Sequence, residues 1–480
     1  MISPSSYALP RFLAPLTIVS VLVMMPALTF AQTVVEFDEP PDVALRHALF
    51  AYYNGESLRA LARLNDYVAD HPQSRALDTL NELRAKLYLD NRLLSSAESV
   101  LRQPHSQTQD NDFRNTLWLD IADIYYHKGL YAQSKQALQQ ITTRWRDEQQ
   151  QERWLARRGM LALTDNDYAS AADLFKELKG RSEWGAYGQY NLGITLLNLG
   201  KFDAAIDELD KVGRRDFASE EMRALKDRAN ITLGFIYLRA QEAAEAKHYL
   251  ERVRLNAEQS NQALLGLGWV NLSAKEYQAA LIPLLELNGR PTYDTAALEA
   301  RLAVPYALDH LKSYNNALSY YEGAAALYER QLREIATLSP QLVGHSETLI
   351  ALLNNRGSRV RSELQERIST TLTTQPWFSA TLANYNELYT LQQTFKTLEQ
   401  SEAYRQLERQ PARQAQFAQQ IAQLNRDIEG TLQEHATLLS TLFIAELNKE
   451  SQKLNRYLNQ ARFAMAQIYE TLMSQRTDTP

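Results

Sequence analysis

Cysteine is absent from all 480 residues, which removes disulfide frameworks, thiol nucleophiles and thiolate metal sites together. Glycine (17) and proline (15) are sparse, so the stretches between helix breakers are long. There is no Gly-rich phosphate loop and no basic excess: 51 Lys and Arg stand against 57 Asp and Glu, a formal net charge of −6. That sign disfavours nucleic acid and anionic lipid as partners, because both are held through clustered Lys and Arg. The eight histidines are scattered, without the paired spacing of a zinc-binding helix. Gly344-His345-Ser346 lacks the closing glycine of a nucleophile elbow. Asp110-Asn111-Asp112 and Asp165-Asn166-Asp167 lack the glycine and distal glutamate that close a calcium loop, and read as polar turns between helices. These gaps predict no catalytic residue, no metal and no cofactor, and so no enzyme.

What is present is the composition of an ordered helical protein. Hydrophobic residues make up 45% and charged residues 22%, and a chain this long exceeds the roughly 250 to 300 residues that one core organises. At least two units or a repeat array are expected. Residues 1–31 read as a secretory signal: Arg11 and the amino terminus precede an apolar run from Phe12 to Leu28, and Thr29-Phe30-Ala31 offers small residues for cleavage after Ala31. The other reading is an uncleaved anchor, although Pro15 and Pro26 interrupt the run and it falls short of the roughly 20 residues that span a bilayer. Without Arg11 the mature chain carries 50 basic against 57 acidic residues, or −7. An exported, acidic, cysteine-free helical chain points to the periplasm.

Self-similarity is the strongest signal. Aligning Ala48, Ala85, Ala122, Gly159, Gly193, Gly234, Gly268 and Pro305 gives steps of 37, 37, 37, 34, 41, 34 and 37 residues. Twelve residues after each anchor stands a small residue: Ala60, Ala97, Ser134, Ala171, Ala205, Ala246, Ala280 and Ala317. Four further on stands a large apolar one: Leu64, Leu101, Leu138, Phe175, Leu209, Leu250, Leu284 and Tyr321. Gly55, Gly129, Asn166 and Gly200 lie seven residues past their anchors and mark short turns. Two small residues let paired helices approach, and the large residue fills the space beside them.

This pattern resembles the tetratricopeptide repeat family over about Asp42 to Arg330, some 60% of the chain. Trp118 and Pro72 stand where that family places a Trp and a Pro; Pro283 and Pro305 depart from it and suggest a kinked or capping eighth unit. The resemblance implies an all-α superhelix of about eight helical hairpins over residues 32–330. Beyond it, residues 331–480 are expected to form a coiled-coil or bundle region of two medium helices on one long helix. The seam of that long helix is read from Phe417, Ile421, Leu424, Ile428, Leu438, Leu442, Leu454, Leu458, Ala461, Met465, Ile468 and Leu472. Gly430 and residues 448–453 are its expected bends.

In stacked hairpins of this kind the first helices line a concave side. The candidate partner-binding groove is then Tyr126, Tyr190, Ile194, Phe235, Trp269 and Tyr306, with aromatic anchors for a helix or an extended peptide. The competing reading of the same stripe is internal packing. The functional expectation is a non-enzymatic periplasmic scaffold that binds protein partners of the cell envelope, with the C-terminal helices docking or forming a homo-oligomer. A peptidoglycan or polysaccharide binder is the alternative.

Overall fold

The computed structural model describes residues 42–477 except 75, 104–111, 142–144, 146, 179–181, 292–293, 355–360 and 400–410. The expected signal and its cleavage site lie outside the described residues, as do Asp110-Asn111. All regular structure among the described residues is α-helical. They fall into two compact units, one ending at Ala205 and the other running from Ile206.

Eight helical hairpins follow one another. They are α1 (Val43–Tyr53) with α2 (Ser57–Asp70), α3 (Leu77–Asp90) with α4 (Leu94–Leu101), α5 (Asp112–His127) with α6 (Tyr131–Leu138), and α7 (Glu148–Thr164) with α8 (Tyr168–Glu177). Next come α9 (Glu183–Asn198) with α10 (Phe202–Arg214), α11 (Glu220–Arg239) with α12 (Ala243–Leu250), α13 (Ser260–Ser273) with α14 (Tyr277–Asn288), and α15 (Thr295–His310) with α16 (Tyr314–Leu342). These are the helical hairpins expected from the repeat, and the spacing rules of the sequence are their packing rules. All eight small residues at the second position are fully buried, at 0% exposure. At three of the glycine anchors there is no room for a side chain: a Cβ on Gly159 would stand 2.6 Å from the Phe175 ring, and one on Gly234 or Gly268 would strike Leu250 or Leu284. Each of those large residues lies sixteen positions after its anchor. Burying each of them contributes about 1.5–3 kcal/mol.

The turns obey one rule as well. In every hairpin the residue seven past the anchor is left-handed: Gly55, Gly129 and Gly200 among the glycines, and Arg92, Asn166, Gln241, Lys275 and Lys312 otherwise, with φ between 60° and 77°. The amide of the next residue then reaches back to a carbonyl five positions earlier, as in Leu130 to Tyr125 at 2.9 Å and Glu276 to Asn271 at 2.8 Å. This is a Schellman closure, and it satisfies the last carbonyls of each first helix. Pro283 and Pro305 lie inside α14 and α15, which run on through them as α-helix.

The C-terminal region differs from the sequence expectation. α16 is one helix through position 330, and three shorter helices stand where two were expected: α17 (Ser346–Leu353), α18 (Glu363–Thr373) and α19 (Pro376–Glu399). α20 (Pro411–Thr477) is unbroken through Gly430 and 448–453. It runs antiparallel along α16, with Arg462 2.7 Å from Glu329 and Tyr469 3.4 Å from Glu322. Its buried seam comprises Ile421, Ile428, Leu432, Leu439, Phe443, Leu447, Leu454, Leu458, Ala461 and Ile468. Leu424 and Leu438, assigned to the seam by a repeat of three and four, are instead 47% and 48% exposed. A helix with 3.6 residues per turn drifts about 20° per heptad, and α20 follows that drift as it passes from α19 to α16.

Candidate partner-binding site

In each unit one pair of consecutive first helices meets through the same two positions, one residue after an anchor and six before the next. In the first unit these are Asp123 and Arg153, joined by an N–H···O bond of 2.8 Å from Arg153 Nε. In the second unit they are Trp269 and Glu299, where the indole Nε1 donates to Oε1 at 3.0 Å. The positions expected to face a groove are thus partly used in holding one hairpin to the next.

In the first unit that use is complete. Arg153 Nη2 also donates to Asp120 at 2.8 Å, and Arg157 donates from Nε to Asp123. The Arg157 guanidinium lies 3.9 Å above the centre of the Tyr126 ring, a cation–π contact. Burial pushes the Asp120 carboxyl up to about 6, with Arg153 pulling the other way. Asp123 is also raised by burial, but the Arg157 and Arg153 charges outweigh it and hold it below the usual carboxylate range. Burial, with Arg157 adding to it, lowers the His127 imidazole. Tyr126, Tyr190 and Ile194 are all buried, so these three candidate groove residues are closed to solvent.

The second unit keeps its candidates half-open. Phe235, Trp269 and Tyr306 are each only partly buried. Phe235 and Trp269 pack against one apolar cluster, and Trp269 and Tyr306 against the next, so Trp269 links the other two into one row. Beside Tyr306, the exposed His310 ring stacks on Tyr277 with centroids 4.6 Å apart and meets Tyr306 edge-on at 4.5 Å. Burial raises the Asp309 carboxyl, and His310 opposes it. The row therefore has aromatic faces and a polar rim, the composition of a contact surface.

The row is bordered by the C-terminal helix. Glu299 accepts from Trp269 on one oxygen, and on the other from the Tyr457 hydroxyl of α20 at 3.4 Å. Burial pushes the Glu299 carboxyl up to about 7, against Trp269, Lys453 and Tyr457. Sequence reasoning did not assign Glu299, Tyr277, His310 or Tyr457 to the groove. The first could have been found by pairing positions across hairpins; Tyr457 carries no periodic signal, since 158 residues separate it from Glu299.

Among the described residues, no group of three or more His, Asp and Glu side chains is placed to hold a metal ion. No described helix is long and apolar enough to cross a membrane.

No family model matches the chain, and no curated protein matches it. Solved structures do. The APC/C hetero-tetramer Cut9–Hcn1 is similar at 14% identity and a TM-score of 0.23, covering 87% of this chain and 89% of that one. Yeast Tom70 is similar at 11% identity and 0.21, covering 91% and 98%. The TPR domain of P58(IPK) is similar at 11% and 0.18, covering 82% and 98%. At such scores the fold rests on the hairpin geometry above and not on these neighbours.

Proposed function

We propose that this chain is a non-enzymatic, exported scaffold of the cell envelope that holds a protein partner along the Phe235–Trp269–Tyr306 row. One observation carries this reading. Three successive first helices present an aromatic residue at the same repeat position, and the second unit leaves all three half-open, whereas Tyr126, Tyr190 and Ile194 in the first unit are sealed. Aromatic anchors ringed by polar groups are where interface energy concentrates. The leader-like first 31 residues and the acidic balance support a periplasmic setting.

The C-terminal helices serve this scaffold mainly as a cap, because the α20 seam is buried on the chain's own α16 to α19. A homo-oligomer through α20 would use its outward residues, Leu424, Leu438 and Phe463, all exposed. Aromatic faces also suit the apolar side of a sugar ring, which keeps a peptidoglycan strand as the second reading.

The test is a photo-crosslinking residue at Tyr306, with the exposed Ile282 as control, in cells that make the protein. A protein adduct at 306, absent at 282 and abolished by Phe235→Ala with Trp269→Ala, is the expected result. Equal labelling at both sites sinks the proposal. Co-sedimentation with sacculi and no protein adduct favours the second reading.

A further inference from the structure

The first hairpin breaks a rule that the other seven keep. Five residues before each later anchor, and again two after it, the first helix is turned inwards: Leu80, Leu117 and Ala300 are 0% exposed at the one position, and Leu87, Thr195 and Ala307 0% at the other. None of the seven later hairpins has an exposed residue at either position. The preceding second helix covers this face. A Cβ on Gly188 of α9 would stand 2.5 Å from Leu178 at the end of α8, and one on Gly266, on the same face of α13, 2.8 Å from Leu250 of α12. In α1 the two positions are Val43 and Phe50, which are 60% and 67% exposed, and no described element precedes α1.

Between Val43 and Phe50 the uncovered face carries Arg46 and His47, both exposed. Arg63 of α2 reaches the same place by donating to the His47 main-chain oxygen at 2.8 Å. No ion pair among the described residues includes any of these three. Two apolar positions thus flank a basic centre. A second copy seated here about a two-fold axis would set that centre against itself. The occupant that fits carries apolar side chains and carboxylates together. Residues 33–39 have that chemistry: Val34, Val35 and Phe37 stand among Glu36, Asp38 and Glu39. They end three residues before Asp42 and lie past the expected cleavage point, so removal of the leader leaves them in the chain. Seven residues span up to about 23 Å, and Val43 to Phe50 is only about 10 Å along a helix.

We propose that residues 33–39 of this chain dock on α1 and close the first end of the stack. Val34, Val35 and Phe37 cover Val43 and Phe50, and Glu36, Asp38 and Glu39 meet Arg46, His47 and Arg63. The segment takes the place that a second helix holds in every later hairpin, and it leaves a polar outer surface, which a stack of repeats needs at its ends to stay in solution. Its attachment next to α1 gives it a high effective concentration over any separate chain that offers the same chemistry.

A photo-crosslinking residue in place of Phe50 in the full chain, read by peptide mass spectrometry, tests this. An adduct within one chain onto residues 33–39 is expected. Arg46→Glu together with Arg63→Glu is expected to lower its yield about fivefold, by setting like charges together. An adduct joining two chains, an adduct onto another protein, no adduct, or an unchanged yield in the charge-reversed chain overturns the proposal. Should that chain fail to fold, Val34→Ser with Val35→Ser and Phe37→Ser decides, since it leaves every described residue unchanged. Hydrogen-exchange protection of α1 is then expected to fall about fivefold while that of α5 holds, and unchanged protection of α1 overturns the proposal.

Discussion

The hydroxyl of Ser134 donates to the main-chain oxygen of Ala122 at 2.7 Å, twelve residues back and across the hairpin. Seven of the eight hairpins have alanine at the Ser134 position, so the bond is an addition to a contact that size alone sets up. Ser134→Ala is expected to cost about 1 kcal/mol, the worth of one net hydrogen bond. Ser134→Leu must force α5 and α6 apart and is expected to cost at least the roughly 1–3 kcal/mol of an overpacked core. Urea unfolding midpoints of the two variants separate a packing role from a bonding one, and equal midpoints would refute it.

Gly159 and Gly323 are both helical glycines with opposite surroundings. A Cβ on Gly159 meets the buried Phe175 ring at 2.6 Å, while one on Gly323 meets nothing within 4 Å. Gly323→Ala is expected to stabilise α16 by about 0.5–1 kcal/mol through helix propensity. Gly159→Ala gains the same propensity but loses about 1–3 kcal/mol to overpacking, and is expected to be net destabilising. Thermal melts of both variants check the sign of each.

Lys275 closes the turn of α13 and α14 with φ 61°, where four other hairpins use glycine or asparagine. The left-handed conformation costs a lysine about 1–2 kcal/mol relative to glycine. Lys275→Gly recovers part of that against the greater chain entropy of glycine. A gain of about 0.5–1 kcal/mol is expected, with none for Lys275→Ala. The same denaturation series measures both.

Asp123 makes the first unit sensitive to acid. Its carboxyl is raised by burial but held below the usual range by Arg157 and Arg153. The stability it contributes is therefore present above the unfolded value, near 3.9, and is lost as pH falls through the lower folded value. Asp123→Asn leaves two buried guanidiniums undermatched and is expected to cost about 3–5 kcal/mol at neutral pH. Its unfolding free energy should also fall less steeply than that of the wild-type chain between pH 4 and 2. An unchanged slope would remove Asp123 from the acid response.

The packing inside each hairpin was legible without coordinates. Gly159 with Phe175, Gly234 with Leu250 and Gly268 with Leu284 lie sixteen residues apart, and a contact that local repeats as often as the chain does. The left-handed turns were half-legible: Gly55, Gly129, Asn166 and Gly200 announce themselves, whereas Arg92, Gln241, Lys275 and Lys312 take the same φ with no residue-type signal. The face chosen by α20 was misread at Leu424 and Leu438, because a heptad reading assumes one partner helix and α20 has several.

By itself, then, the sequence determined that the chain is helical, where each hairpin turns and which small and large residues meet within it, since those contacts recur at fixed short spacing. Only the tertiary structure decided which inward positions stay half-open, as at Phe235, Trp269 and Tyr306, and which are sealed, as at Tyr126, Tyr190 and Ile194. It alone brought Tyr457 to Glu299. Those outcomes depend on how one hairpin rotates onto the next and on a helix arriving from far along the chain, and neither leaves a period in the sequence.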